Sequence, residues 1–257
     1  MTNQEVLNKE QIIRKVTSVG NGAHVFTPKG WIGDNVVIIR TPTPSLNEKI
    51  LNILRQHLED IFGVFLYGSY ARGEQRQDSD IDILIISSKK FKIKEKGFEI
   101  IILERDEIDK AIKIAPVLMY SVLCEAKPII NSKLFYDLKK EYKPVPENFR
   151  EYIKETKNVI KINEELLDPY SIFLRLRGIY IIEKTLSGKI SSYKGFKKET
   201  FEDTKRDFED LYNSYLMIKA GLKVEIKEND LKILLQILKN KTKKLEDKFY
   251  GKKKKEA

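Results

Sequence analysis

The sequence predicts an α/β (α+β) core preceded by a small N-terminal β module and followed by a C-terminal helical bundle. Three observations carry that expectation. Short apolar runs rich in Ile, Val and Phe, at about 62–67, 81–87 and 98–104, read as buried strands. The break Thr41-Pro42-Thr43-Pro44 is stiff and short of N–H donors, and it sets off an N-terminal stretch with apolar runs of its own. From about Glu147 to Lys248 the apolar spacing becomes helical.

The N-terminal stretch, residues 1–41, alternates Ile12–Val16, a turn at Gly20-Asn21-Gly22, Ala23–Phe26, Pro28–Gly33 and Val36–Ile39. Lys15-Val16-Thr17-x-Val19-Gly20-Asn21-Gly22 followed by Pro28-Lys29-x-Trp31-Ile32-Gly33 resembles the archaeal branch of the AbrB-type swapped-hairpin family. Such a unit is too short to bury its own core, so the resemblance implies an interleaved homodimer, often DNA-binding. Arg14, Lys15 and Lys29 are then the candidate nucleic-acid contacts, and a plain dimerisation arm is the alternative.

After the prolines a helix starts. Ser45 and Glu48 form a capping box, and Ile50, Leu51, Leu54, Leu58 and Ile61 supply one apolar face. The chemistry follows in Val64-Phe65-Leu66-Tyr67-Gly68-Ser69-Tyr70-Ala71-Arg72-Gly73 and Ser79-Asp80-Ile81-Asp82-Ile83-Leu84-Ile85-Ile86. Strand side chains alternate faces, so Asp80 and Asp82 point the same way while Ile81, Ile83 and Ile85 go into the sheet. Two adjacent carboxylates repel unless a cation neutralises them, which suits a hard ion such as Mg²⁺. Gly68 lets the backbone approach a polyphosphate, and the N–H groups that follow it, with the Ser69 hydroxyl, can bind one.

At these residues the chain resembles the DNA polymerase β-like nucleotidyltransferase superfamily. Its small "minimal" members carry Gly-Ser-x-Ala-Arg-Gly and Ser-Asp-x-Asp, matched here by Gly68, Ser69, Ala71, Arg72, Gly73, Ser79, Asp80 and Asp82. The resemblance implies nucleotidyl transfer with two Mg²⁺ ions, or Mn²⁺, held by Asp80, Asp82 and a third acid. Glu99, inside Gly97–Leu103, is the acid of the next strand, and Glu104 is its competitor. Gly68, Ser69, Arg72 and Ser79 are then the nucleotide-binding residues, with Arg72 as a phosphate countercharge. The nucleotidyltransferase domain is expected over 45–143, closed by a helix at about 106–126. Ala126-Lys127-Pro128-Ile129-Ile130-Asn131-Ser132 resembles the connector that follows this core in minimal members.

A helical bundle is expected over 147–250 and a basic tail over 251–257. Its helices read as Tyr152–Leu167, Tyr170–Ser187, Lys198–Ala220 and Asp230–Lys248, with breaks at Pro169, Gly188, Gly195 and Gly221. Small nucleotidyltransferases often work beside a helical HEPN partner whose ribonuclease motif is Arg-x4-6-His. This bundle has Arg175 and Arg177 but no histidine, which excludes that activity.

Composition sets the remaining bounds. The chain has 257 residues with 41% hydrophobic and 33% charged, ordinary globular values, and no run approaches a membrane span. One cysteine, Cys124, and two histidines exclude a disulfide framework and leave nothing for a zinc site. The polar start Met1–Glu5 offers no secretory signal, so the expected compartment is cytoplasmic, and the Lys, Glu and Ile bias leans towards a thermophile. The net charge of +10 is uneven. Residues 151–257 hold 25 basic against 18 acidic side chains, and the chain ends in Lys252-Lys253-Lys254-Lys255, which could track a nucleic-acid backbone or be a solvated tail.

The expected enzyme moves a nucleoside monophosphate from an NTP, ATP foremost, to an RNA 3′ end or a protein hydroxyl. The alternative is a DNA-binding regulator or antitoxin-like protein that keeps the fold as a scaffold or nucleotide sensor.

Overall fold

A computed structural model describes residues 12–40, 44–77, 79–201 and 208–250. The chain divides into two compact units, with the boundary between Pro44 and Ser45.

Among the described residues of the first unit, one hairpin forms. Strand β1 (Thr17–Val19) pairs antiparallel with β2 (Gly22–His24) around Gly20, whose φ of +51° suits a tight turn. Lys29–Trp31 makes a short 3₁₀ turn. The expected strands at 12–16 and 36–39 are absent, and Ile13, Val37, Ile38 and Ile39 are exposed. Without a partner surface the apolar pattern alone cannot hold a strand, since a lone two-stranded hairpin is marginal in water.

The second unit opens with α1 (Leu46–Leu54), started by the Ser45–Glu48 capping box. Strands β3 (Ile61–Tyr67), β4 (Ile81–Ser87), β5 (Phe98–Glu104) and β6 (Lys127–Ile130) make one sheet in the order β5-β4-β3-β6. β4 runs parallel to β5, and the other pairings are antiparallel. Strand β6 falls where the sequence predicts only a connector. Its Pro128 cannot donate to a ladder, which is tolerable here because β6 lies on the sheet edge.

Both faces of the sheet are covered. Val64, Leu66, Ile81, Ile83 and Ile85 pack with Ile50 and Leu54 of α1. Phe65, Leu84 and Ile86 belong to a second core that runs into the helices, and each buried Ile or Leu contributes about 1.5–3 kcal/mol. The helix expected at 106–126 is two, α3 (Ile108–Ile114) and α4 (Pro116–Glu125). Pro116 starts the second, and Ala115 before it sits at φ −128° and ψ 59°, outside the helical region. Helix α5 (Ser132–Glu141) is capped by Asn131, which also donates to the Phe62 carbonyl at 2.8 Å.

The C-terminal part holds α6 (Arg150–Asn163), α7 (Pro169–Leu186), α8 (Tyr193–Phe201), α9 (Phe208–Lys219) and α10 (Glu228–Tyr250). Gly195 lies inside α8 rather than at a break. Helix α7 packs against α4, α6, α9 and α10, so its Ile172, Phe173, Leu176, Ile179 and Ile182 are buried in the core that also covers the sheet. The basic run at 251–257 lies outside the described residues.

Candidate active site

Strand β3 ends at Tyr67, and the chain turns through Gly68 at φ +71° into the short helix α2 (Gly68–Arg72). Tyr67 is the register partner of Asp82 on β4, and Asp82 is the partner of Glu99 on β5. Directly paired residues present their side chains on one face, so Tyr67, Asp82 and Glu99 form a row across the sheet. Asp80 stands exposed just before β4, on the same side by strand alternation. Glu104 is paired with Ser87 at the far end of β5 and forms a capping box with Glu107. Five residues of strand, about 17 Å, separate it from Glu99.

Gly68 is fixed by contact as well as by its dihedral. A β-carbon there would sit 1.9 Å from Asp82 Oδ2, so the turn and the carboxylate occupy each other's space. The Asp82 carboxyl is pushed up to about 6, first by burial and then by the negative charge of Glu99; Asp80 adds to this, while Lys219 and Arg72 oppose it. Burial, with Asp82, Glu99 and Glu125 nearby, also pushes the Tyr67 hydroxyl above its ordinary range.

Asp82 and Glu99 at paired strand positions, with Asp80 just before β4, offer carboxylate oxygens, the donor chemistry of a hard divalent cation. Among the described residues, no three His, Cys, Asp or Glu side chains already close around a single point.

The remaining expected residues are placed as follows. Ser69 is half-buried at the start of α2. Arg72 is held by carboxylates, with Nη1 donating to Glu125 at 2.7 Å and Nε to Glu74 at 2.9 Å. Ser79 accepts from the Arg76 N–H at 2.8 Å, closing the loop that leads into β4. Arg14, Lys15 and Lys29 are exposed residues of the N-terminal unit.

Sequence reasoning missed a second layer. Glu125, the last residue of α4, accepts from the Gly68 N–H at 3.0 Å while it holds Arg72. Glu74 accepts from the Tyr193 N–H at the start of α8. Arg76 lies over the Tyr193 and Tyr212 rings at 5.1 and 5.6 Å and pairs with Glu209 at 3.7 Å. None of these contacts has a local periodicity; the Glu after an apolar helix, before Lys127-Pro128, was the only visible trace.

A family described as "Nucleotidyltransferase domain" matches residues 47–253. A Methanocaldococcus jannaschii protein, named provisionally as a protein adenylyltransferase, is 33% identical over 78 residues, 27% of this chain and 79% of that protein. Among solved structures, a spectinomycin adenyltransferase from Enterococcus faecialis with ATP and spectinomycin has 18% identity and a TM-score of 0.43, over 76% of this chain and 97% of that one. A nucleotidyltransferase-like protein from Exiguobacterium sibiricum has 12% identity and a TM-score of 0.36, over 80% and 78%.

Proposed function

The chain belongs to the nucleotidyltransferase domain family, and on that premise we propose that it moves the nucleoside monophosphate of an NTP, ATP foremost, to a protein hydroxyl. The acceptor oxygen attacks the α-phosphorus, the bond to the bridging oxygen of the β-phosphate breaks, and pyrophosphate leaves. The observation that supports this most is the row Tyr67–Asp82–Glu99 beside the Gly68 turn, which sets carboxylates next to a backbone able to approach phosphate. Ser69 would bind the leaving phosphates through its hydroxyl and backbone N–H. Glu99 would take the acceptor proton or complete the carboxylate set. Asp80, Asp82 and Glu99 would hold two Mg²⁺ ions, or Mn²⁺, which when bound neutralise the charge that develops on the attacking and leaving oxygens.

A protein acceptor is favoured by the name of the M. jannaschii relative, with an RNA 3′ end as the second reading. Incubation of the protein with each labelled NTP, Mg²⁺ and cell extract separates them. Label in a polypeptide supports the first and label in RNA replaces it by the second. No label and no pyrophosphate from any NTP overturns both.

The N-terminal unit we propose as an AbrB-like dimerisation arm. In its support, Val16, Val19, Phe26, Ile32 and Val36–Ile39 are exposed. Exposed Arg14, Lys15 and Lys29 would serve nucleic acid there.

A further inference from the structure

The side chain of Glu125 is 3% exposed, and it belongs to neither strand that carries the acidic row. One of its oxygens, Oε1, accepts from both the Gly68 N–H at 3.0 Å and Arg72 Nη1 at 2.7 Å. The other, Oε2, is buried with no hydrogen-bond partner among the described residues. Burial outweighs Arg72 and Gly68 and raises the proton affinity of this carboxyl. A buried carboxylate with an orphan oxygen is a costly way to stabilise a helix end, and such groups are commonly retained for what they position.

From this geometry we propose that Glu125 is the positioning residue of the phosphate-binding turn: it pins the Gly68 N–H and draws Arg72 away from the nucleotide. The idea rests on the nucleotidyl-transfer reading and assigns a task inside it. Gly68 has a positive φ and lies just past the end of β3, where its N–H is held by Glu125. A single carboxylate oxygen that grips it fixes the direction of the next N–H, that of Ser69. Arg72 is then the brace of this grip. Its guanidinium spans Glu125 and Glu74, and Glu74 accepts in turn from the first N–H groups of α8, so the turn is tied to the helical part of the unit.

The test is binding of a nonhydrolysable ATP analogue with Mg²⁺ to the full chain, read by calorimetry and independent of any acceptor. Glu125→Gln should weaken binding about tenfold in a variant that still unfolds cooperatively, and should shift the Gly68 amide proton upfield in NMR, because a neutral oxygen accepts more weakly. Arg72→Gln should cost a similar factor, and the double variant no more than the larger single one, since the two act as one brace. If Arg72 instead gripped phosphate directly, its loss would add to that of Glu125, and the proposal would fall. Should Glu125→Gln not fold, Glu125→Asp keeps the charge but is one methylene too short to bring an oxygen to both donors. It should show an intermediate loss, and wild-type affinity in a folded variant would overturn the assignment. A wild-type protein that binds no NTP analogue would sink the underlying reading instead, so the two failures are distinguishable.

Discussion

Asp82 lies so close to Gly68 that a β-carbon on the glycine would stand 1.9 Å from its Oδ2. The Gly68 turn and the acidic strand are therefore packed against each other, with no room for a side chain on the glycine.

Gly68→Ala should accordingly disable the site with little harm to the fold. The alanine must displace the Asp82 carboxylate or abandon φ +71°, which costs an L-residue about 1–2 kcal/mol. Transfer and NTP binding should both fall by at least about tenfold, equivalent to a displacement costing 1.4 kcal/mol. Wild-type binding by this variant would show that the contact is dispensable.

Asp82→Asn should abolish transfer yet stabilise the metal-free protein at neutral pH. The ordinary carboxyl value of 3.8 rises to about 6 in the fold, so the folded chain holds this proton more tightly than the unfolded one. Stability from this group is present below the unfolded value, lost as pH rises through 6, and absent above. Asn removes the penalty, a gain of about 2 kcal/mol at pH 7.5 after allowance for solvent screening, vanishing near pH 4. Denaturant melts in EDTA at several pH values measure it; a gain independent of pH would contradict the crowding.

Glu99→Gln should slow the chemical step by about 10²-fold or more while NTP binding persists, and Glu104→Gln should change activity little. Glu99 shares the row with Asp82, whereas Glu104 caps the turn at the other strand end. Single-turnover rates with saturating NTP give the ranking, and its reversal would move the third acid.

Deletion of residues 1–44 should convert a dimer into a monomer that still binds NTP and metal. The exposed apolar residues of that unit and the boundary at Pro44–Ser45 motivate this outcome. Light scattering at micromolar concentration decides it: a monomeric full-length chain would remove the arm from the assembly, and a dimeric truncation would relocate the interface.

Sequence by itself determined the strands β3, β4 and β5 and the turn at Gly68, and it singled out Ser69, Asp80 and Asp82 for proposal, because alternation and a glycine turn are local properties of the chain. It also marked the capping box at Ser45 and the helical character after residue 147. The tertiary structure alone decided the parallel register that sets Glu99 beside Asp82, the edge place that admits Pro128, and the split of one expected helix at Pro116. It alone also decided that Arg72 is occupied by Glu125, 53 residues away in the chain. Such a contact forms when helix α4 packs against the sheet core, and the ion pair follows from that packing rather than from any spacing in the sequence. Where no such packing partner is present, as at Val36–Ile39, a run that reads as a strand stays exposed and unpaired.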